Sequence, residues 1–325
     1  MGQYWMLVNI DKRQSTGSEG KLGEFLTDSS PGTVAESLLC RLLPCLLRPE
    51  AEALTKDILK HVKSPLESGL GRLAIAVELL DLIFSSIDNI RDATCLCISN
   101  KTLFAIGYKH ILRIAEGDQI RWEGDRIICL GDYAEDLPEG MLSSEEVNLL
   151  RLEGQELDDS DPEDTVLRLY DIAAENFDCI SGRWSSHSYD SREWRMAGID
   201  RKLYCQLSRP YYVYHDRWVL CNLSKLQYVR ADTVAEIVGD ALRLGDVLLS
   251  QICWSTDPSC AIPYKGKLHR GAWAGDRFIV TTMDKIEGSL RENGTWTDVT
   301  KDVMKQVTEI WRSVYGPEWP EQTED

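Results

Sequence analysis

Trp122-Glu123-Gly124-Asp125-Arg126-Ile127-Ile128 returns later in the chain as Trp273-Ala274-Gly275-Asp276-Arg277-Phe278-Ile279. The shared pattern is a Trp, then Gly-Asp-Arg, then a large apolar residue. A second pair of echoes precedes the first: Leu7-Val8-Asn9-Ile10-Asp11-Lys12 matches Leu220-Cys221-Asn222-Leu223-Ser224-Lys225. Both pairs occur in the same order, so the chain reads as a diverged tandem duplication. Asn9 lies 113 positions before Trp122, whereas Asn222 lies 51 before Trp273, which leaves 62 extra residues in the first copy. Helical patterning assigns this surplus to an insertion over about 34–92. Each copy then reduces to strand, loop, hairpin and closing helix, an α+β plan with mainly antiparallel strands. The first repeat is placed at 1–181, a Ser-, Arg- and Gly-rich connection at 182–202, and the second repeat at 203–325.

Local patterns fill in this plan. Gln3 to Ile10 has strand composition, and so does Tyr211 to Leu223. Leucines at 38, 39, 42, 43, 46 and 47 have helical spacing, and Glu52 to Val62 repeats it. Leu70 to Ile87 is apolar on most faces and predicts a buried helix. Thr94 to Ile98 and Leu103 to Ile114 predict strands. Gln119 to Trp122 and Arg126 to Leu130 predict the arms of a hairpin that turns at Gly-Asp. Ser143 and Glu146 have capping-box spacing, so a helix should begin there. Further helices are predicted over Thr165–Ile180 and Thr297–Tyr315. Val234 to Leu249 carries mixed signals.

The chain has 325 residues, a net charge of -17, 43% apolar residues and 27% charged residues. That balance suits a globular protein and disfavours nucleic acid and anionic membranes as partners. With no signal-like start and no apolar run of about 20 residues, a cytoplasmic protein is expected. The ten cysteines then read as reduced thiols, and without a Cys-x-x-Cys pair no metal site is expected. The acidic run Asp158 to Asp164 lacks the glycine and spacing of an EF-hand. Gly69-Leu70-Gly71 has no strand before it, as a dinucleotide site would require. No phosphate-binding loop, nucleophile elbow or His-Glu-x-x-His stretch occurs, and no cofactor is expected.

The candidate site residues come from the two echoes. Asp125 and Asp276 are the candidate general acids or bases, with Asp276 preferred because His269 and the Cys253–Pro263 loop lie near it in sequence. Arg126 and Arg277 are candidate clamps for an anionic group, and Trp122 and Trp273 candidate stacking walls. Asn9, Asp132 and His269 complete the ligand-binding set. The competing structural reading makes Gly-Asp a bend, lets the Arg stems lie on the surface and packs Trp into the core.

Met1-Gly2-Gln3-Tyr4-Trp5, Val8-Asn9-Ile10-Asp11-Lys12, Trp122 to Ile127 and Gly131-Asp132-Tyr133-Ala134-Glu135-Asp136 together resemble an uncharacterised family of bacterial and fungal proteins. Its members share a Met-Gly-Gln-Tyr-Tyr/Trp start and a Trp-x-Gly-Asp-Arg segment. The resemblance covers about a third of the chain, and no activity attaches to it. Two functions are therefore carried forward. One is a cofactor-independent small-molecule site between the repeats, as in a hydrolase, lyase or cyclase. The other is a non-catalytic interaction module that docks a partner through its helical insertion. A closed polar pocket would favour the first, and an exposed apolar patch over 50–92 the second.

Overall fold

The computed structural model describes residues 2–18, 20–27, 68–117, 121–157, 167–180, 198–208, 218–284 and 294–320, with single positions between 32 and 65 and residues 196 and 286. Of the predicted helices at 34–47 and 52–62 only Ala35, Glu36, Leu38 and Leu39, and Lys56, Leu59 and Lys60, are described, all helical but Lys60; the acidic run at 158–164 and most of the 182–202 connection lie outside the described residues. The protein is α+β and divides into two compact units. Unit 1 comprises 1–40, 121–184 and 214–325, and unit 2 comprises 41–120 and 185–213.

Unit 1 contains two mixed sheets. In the first, β1 (Tyr4–Asn9) is central and is flanked by β2 (Gln14–Ser15), β3 (Gly20–Lys21) and β4 (Ile127–Gly131). Beyond these, β5 (Asp178–Cys179) lies parallel to β2, and β8 (Cys253–Trp254) parallel to β4. In the second, β6 (Trp218–Asn222) is flanked by β7 (Gln227–Arg230) and β9 (Phe278–Thr282), with β10 (Thr297–Asp298) parallel to β7. The registers match position for position. Asn9 pairs with Gln14 and Ile127, and Asn222 pairs with Gln227 and Phe278. Gln14 then pairs with Asp178, and Gln227 with Thr297. The central strands β1, β4 and β6 are apolar and largely buried because helices cover them: α1 (Leu22–Thr27), α5 (Ser144–Leu157) and α6 (Leu169–Asn176) in the first half, α8 (Ala231–Val238), α9 (Leu244–Ile252) and α10 (Thr300–Tyr315) in the second. Met6, Val8, Ile128 and Leu130 meet Leu150, Leu169 and Ile172 in one apolar cluster. Ser143 caps α5 as its spacing predicts, exchanging hydrogen bonds with Glu146 at 2.7 and 3.2 Å.

Unit 2 is helical: α2 (Val77–Ser85), α3 (Ile90–Ile98), α4 (Lys101–Gly117) and α7 (Gly198–Ser208). Leu80, Phe84, Ala93, Cys97, Phe104, Ile111 and Leu207 form its core. The strands predicted at 94–98 and 103–114 are therefore helices. Cys95-Leu96-Cys97 suggests alternation over three residues, but the longer spacing of Ala93 and Cys97, then Phe104, Ile111 and Ile114, is helical, and packing on α2 selects it. Asn89 starts α3 by accepting the backbone N–H groups of Arg91 and Asp92 at 2.9 and 3.2 Å. A Cβ at Gly107 would come within 2.4 Å of both Cys97 Sγ and the Phe84 ring, so α4 needs glycine there. The helix predicted over 70–87 is shorter, with a 3₁₀ turn at Gly71–Leu73 and then α2, and α2 has an exposed side as well as a buried one.

Further findings concern unit 1. The helix predicted over 165–180 is confined to Leu169–Asn176, because Phe177 is extended and leads into β5. Val234–Leu249 holds parts of two helices, separated at Gly239, whose φ of 59° suits glycine. Two helices thus lie between Asn222 and Trp273. The difference in spacing can be placed between hydrogen-bonded positions. Trp122 N–H donates to Leu38 O, 84 residues earlier, and Trp273 N–H to Gln251 O, 22 earlier, both at 2.9 Å. The 62-residue difference therefore lies wholly between Leu38 and Trp122, the span that contains 41–120 of unit 2.

Gly32, Ala35, Glu36, Leu38 and Leu39 are helical, and Gly32 meets α9 at Gly245. A Cβ on Gly245 would stand 1.7 Å from Gly32 O, and one on Gly32 1.9 Å from Asp246 Oδ1. Two backbones this close leave no space for a methyl group. Gly245→Ala should therefore destabilise unit 1 by about 1–3 kcal/mol through overpacking, read as a lower denaturation midpoint in urea. An unchanged midpoint would show that the crossing can relax.

Candidate functional site

Trp122 to Asp125 is a four-residue turn, not the loop of a hairpin whose arms are its neighbours. Asp125 N–H donates to Trp122 O at 3.1 Å, and Gly124 occupies the third position with φ 82°. Trp273 to Asp276 repeats this, with Asp276 N–H to Trp273 O at 3.0 Å and Gly275 at φ 80°. Each turn feeds a strand, β4 or β9, whose antiparallel partner is β1 or β6. The hairpin prediction fails because the strand that satisfies β4 comes from more than 110 residues away, which local spacing does not reveal.

Asn9 ends β1 and is fully buried. Its Oδ1 accepts Lys12 N–H at 2.9 Å, and its Nδ2 donates to Asp125 Oδ2 at 2.8 Å. The Lys12 ammonium adds an ion pair to the same Asp125 oxygen at 2.9 Å and reaches Arg121 O. Asn222 does the same with Lys225 N–H at 3.0 Å and Asp276 at 2.7 Å, while the Lys225 ammonium meets Asp276 at 2.9 Å and reaches Ala272 O. Only a side chain that both donates and accepts can join a strand end to a turn in this way, which is why both positions hold Asn. The indole N–H of buried Trp122 donates to Gln14 at 2.8 Å, and that of Trp273 to Gln227 at 3.0 Å. Neither Trp presents a stacking face to solvent, since they are 0% and 3% exposed.

The two turns meet. Arg126 and Arg277 form an antiparallel bridge, framed by Gly124 N–H to Phe278 O at 2.7 Å and Gly275 N–H to Ile127 O at 2.9 Å. Asp11 lies between the two guanidinium groups. It accepts Arg126 Nη2 at 2.6 Å and Arg277 Nη1 at 2.8 Å, and also the Arg126 backbone N–H at 2.7 Å. Glu146 takes the other edge of Arg126 at 2.6 and 3.1 Å. In the second half Ser224 replaces the acid, and its hydroxyl accepts Arg277 N–H at 3.0 Å. Burial alone would raise the Asp11 carboxyl, but the hydrogen bonds and charge of Arg126 outweigh it, with Arg277 adding to them, and hold it below its ordinary value. The Arg126 hydrogen bond brings Glu146 down to about 2.

Asp125, Asp276, Arg126, Arg277, Trp122, Trp273 and Asn9 are thus brought together at one seam of unit 1. Asp132 is not among them. It closes the other end of the β1–β4 pair, exchanging hydrogen bonds with Tyr4 at 2.9 and 3.1 Å, roughly 20 Å along the strand from Arg126. Burial raises its carboxyl. His269 is also elsewhere. Its carbonyl accepts Ser255 N–H at 2.8 Å beside the loop that Gln3 secures, and burial followed by the Arg270 charge lowers its imidazole. Gln14, Gln227 and Glu146 were missed. The signal for the glutamines was present: Asn-x-x-Lys-x-Gln occurs at 9–14 and again at 222–227.

Comparison with protein-family models, with curated proteins and with solved structures gives no match. Among the described residues, no cluster of three or more His, Cys, Asp or Glu could hold a metal, and no helix is long and apolar enough to cross a membrane.

Two outcomes are expected at the seam. Asn9→Ala and Asn222→Ala should each destabilise by about 1–3 kcal/mol, and by similar amounts, because each leaves a backbone N–H and a carboxylate short of a partner. Calorimetry of the two variants measures this, and a large inequality would separate the two turns. Second, the depressed Glu146 carboxyl contributes stability that is present above its ordinary 4.5 and is lost as pH falls toward about 2. The Tm of Glu146→Gln should lack that part of the acid-induced decline.

Proposed function

We propose that this chain is a non-catalytic protein-interaction module, in which a scaffold built by tandem duplication carries a helical unit that docks a partner. The observation that carries the docking part is the outer side of α2. Leu79, Leu82 and Ile83 are 50%, 64% and 37% exposed, while Leu80 and Phe84 of the same helix are 2% and 0% exposed. Their i, i+3, i+4 spacing aligns the three on one side, away from the unit's core. Leu59, Leu73 and Val77 of the same unit are also exposed. A helix that is apolar on both sides calls for a second covering. The spacing is the kind that an amphipathic partner helix or a groove recognises. A net charge of -17 disfavours a second copy of this chain and favours, as the occupant, a different protein with basic residues around its apolar face.

The duplication is supported by the matched registers, the two turns with their Asn, Lys and Gln partners, and the paired glycines at the helix crossing. Setting 31–39 against 244–252 also aligns Val34 with Val247 and Ser37 with Ser250. The other reading, a small-molecule site with Asp125 or Asp276 as acid or base, has less support. Each of these carboxylates is engaged by an Asn and a Lys, and Arg126 by Asp11 and Glu146. Its remaining opening is Arg277, whose side chain is 42% exposed.

The test pairs α2 with the seam. Leu79→Gln with Leu82→Gln removes the outer stripe while keeping good helix formers, so stability should change by about 0.5 kcal/mol or less. Affinity capture with the wild-type chain identifies a partner, and titration of that purified partner should weaken at least tenfold in the double variant. Asp276→Asn should bind it unchanged. Equal affinity of the double variant, or a turnover that Asp276→Asn abolishes, would overturn the proposal.

A further inference from the structure

Glu36 is helical and 1% exposed, and neither of its carboxyl oxygens has a hydrogen-bond partner. An ionised carboxylate there would have lost its water and gained no donor in exchange. Its position is the glycine crossing itself, since a Cβ on Gly245 would stand 3.0 Å from Glu36 Cβ. The charged groups that reach Glu36 come from the start of α9, namely Arg243, which favours ionisation, and Asp246, which opposes it. Asp246 is itself half-buried against Gly32 and accepts the Arg243 backbone N–H at 2.8 Å. The aligned position in α9 is Leu249, which is fully buried, so an apolar side chain of similar reach fills the corresponding place.

We propose that Glu36 is carried as a neutral carboxylic acid and acts as a proton-dependent latch where Gly32 and Glu36 pack on the start of α9. While the proton is held, the carboxyl packs as a neutral group. When it leaves, a charge without donors lies between two backbones in contact, and the crossing loosens. The same segment holds Trp122, through Leu38 O at 2.9 Å, so the point where the chain leaves unit 1 and the point where it returns are tied beside the latch. Burial pushes the Glu36 carboxyl from its ordinary 4.5 up to about 8, and Asp246 from 3.8 up to about 6. For such a raised acid the stabilisation is complete below the unfolded value and falls as pH rises toward the folded one. Both groups therefore act in the same direction, and the window from pH 6 to pH 8 belongs to Glu36.

The experiment is thermal unfolding of the full chain from pH 4 to pH 9, for the wild type, Glu36→Gln and Glu36→Leu. The wild type should lose about 5 °C or more between pH 6 and pH 8 relative to Glu36→Gln. Glu36→Leu, which copies Leu249, should be the most stable at pH 8. The hydrogen-exchange protection of the Trp122 amide, corrected for intrinsic rates, should fall over the same interval in the wild type and stay level in the variants. If Glu36→Gln does not fold, Glu36→Leu alone carries the comparison. Parallel pH profiles for the wild type and the folded variants would overturn the latch. So would variants less stable than the wild type at every pH, or failure of both to fold, since either would mean that the ionised form has a partner.

Discussion

A buried asparagine carboxamide that donates to a turn aspartate and accepts a backbone N–H holds each half of unit 1 together. Asn9 and Asn222 stand where a central strand ends, fully removed from water, and each joins that strand end to a turn arriving from a distant part of the chain. The low dielectric around them strengthens these hydrogen bonds and makes any unmade one expensive. The lysine ion pair, the Trp–Gln hydrogen bond and the positive-φ glycine all depend on the turn being in that place. Substituting the turn glycine by a residue with a side chain would strain the turn and draw Asp away from Asn.

The bridge between Arg126 and Arg277 sets two guanidinium groups close together, and Asp11 resolves the repulsion by accepting from both. This is where the two turns cease to be equivalent. Asp11 serves both arginines while Ser224 serves only the Arg277 backbone, and Glu146 is added on one side. A motif that looks catalytic in sequence, Asp next to Arg next to Trp, is thereby occupied by its own internal partners. The same residue types that could clamp a ligand are used here to join two sheets.

Unit 2 obeys a different rule. Its helices form a core around Phe84, Cys97 and Phe104, and Gly107 lets α4 approach α2 closely. Its apolar content exceeds what that core buries, and part of the excess lies on the outer side of α2. Glu36 is the opposite case, a polar group in a place that suits a hydrocarbon, and it lies a few residues before the chain enters this unit.

What the sequence determined by itself was whatever has a local or periodic cause. The Asn and Trp-x-Gly-Asp-Arg echoes, the strand composition of 4–9 and 218–222, the Ser143–Glu146 cap and the 62-residue surplus all follow from side-chain types at fixed spacings, and the α+β class follows from their alternation. Tertiary structure decided what depends on partners far away in the chain. Residues 94–98 and 103–114 are helices because a neighbouring helix rewards a 3.6-residue period over a short alternating one. Residues 127–131 pair with 5–9, more than 110 positions earlier, because a buried strand takes whichever edge satisfies its backbone. Asp132 and His269 fall outside the seam because an extended strand separates the one, and a different loop holds the other. The choice between chemistry and scaffold for Asp125 and Asp276 was also open in sequence, since the same letters serve both, and only the geometry of Asn, Lys and Asp11 around them bears on it.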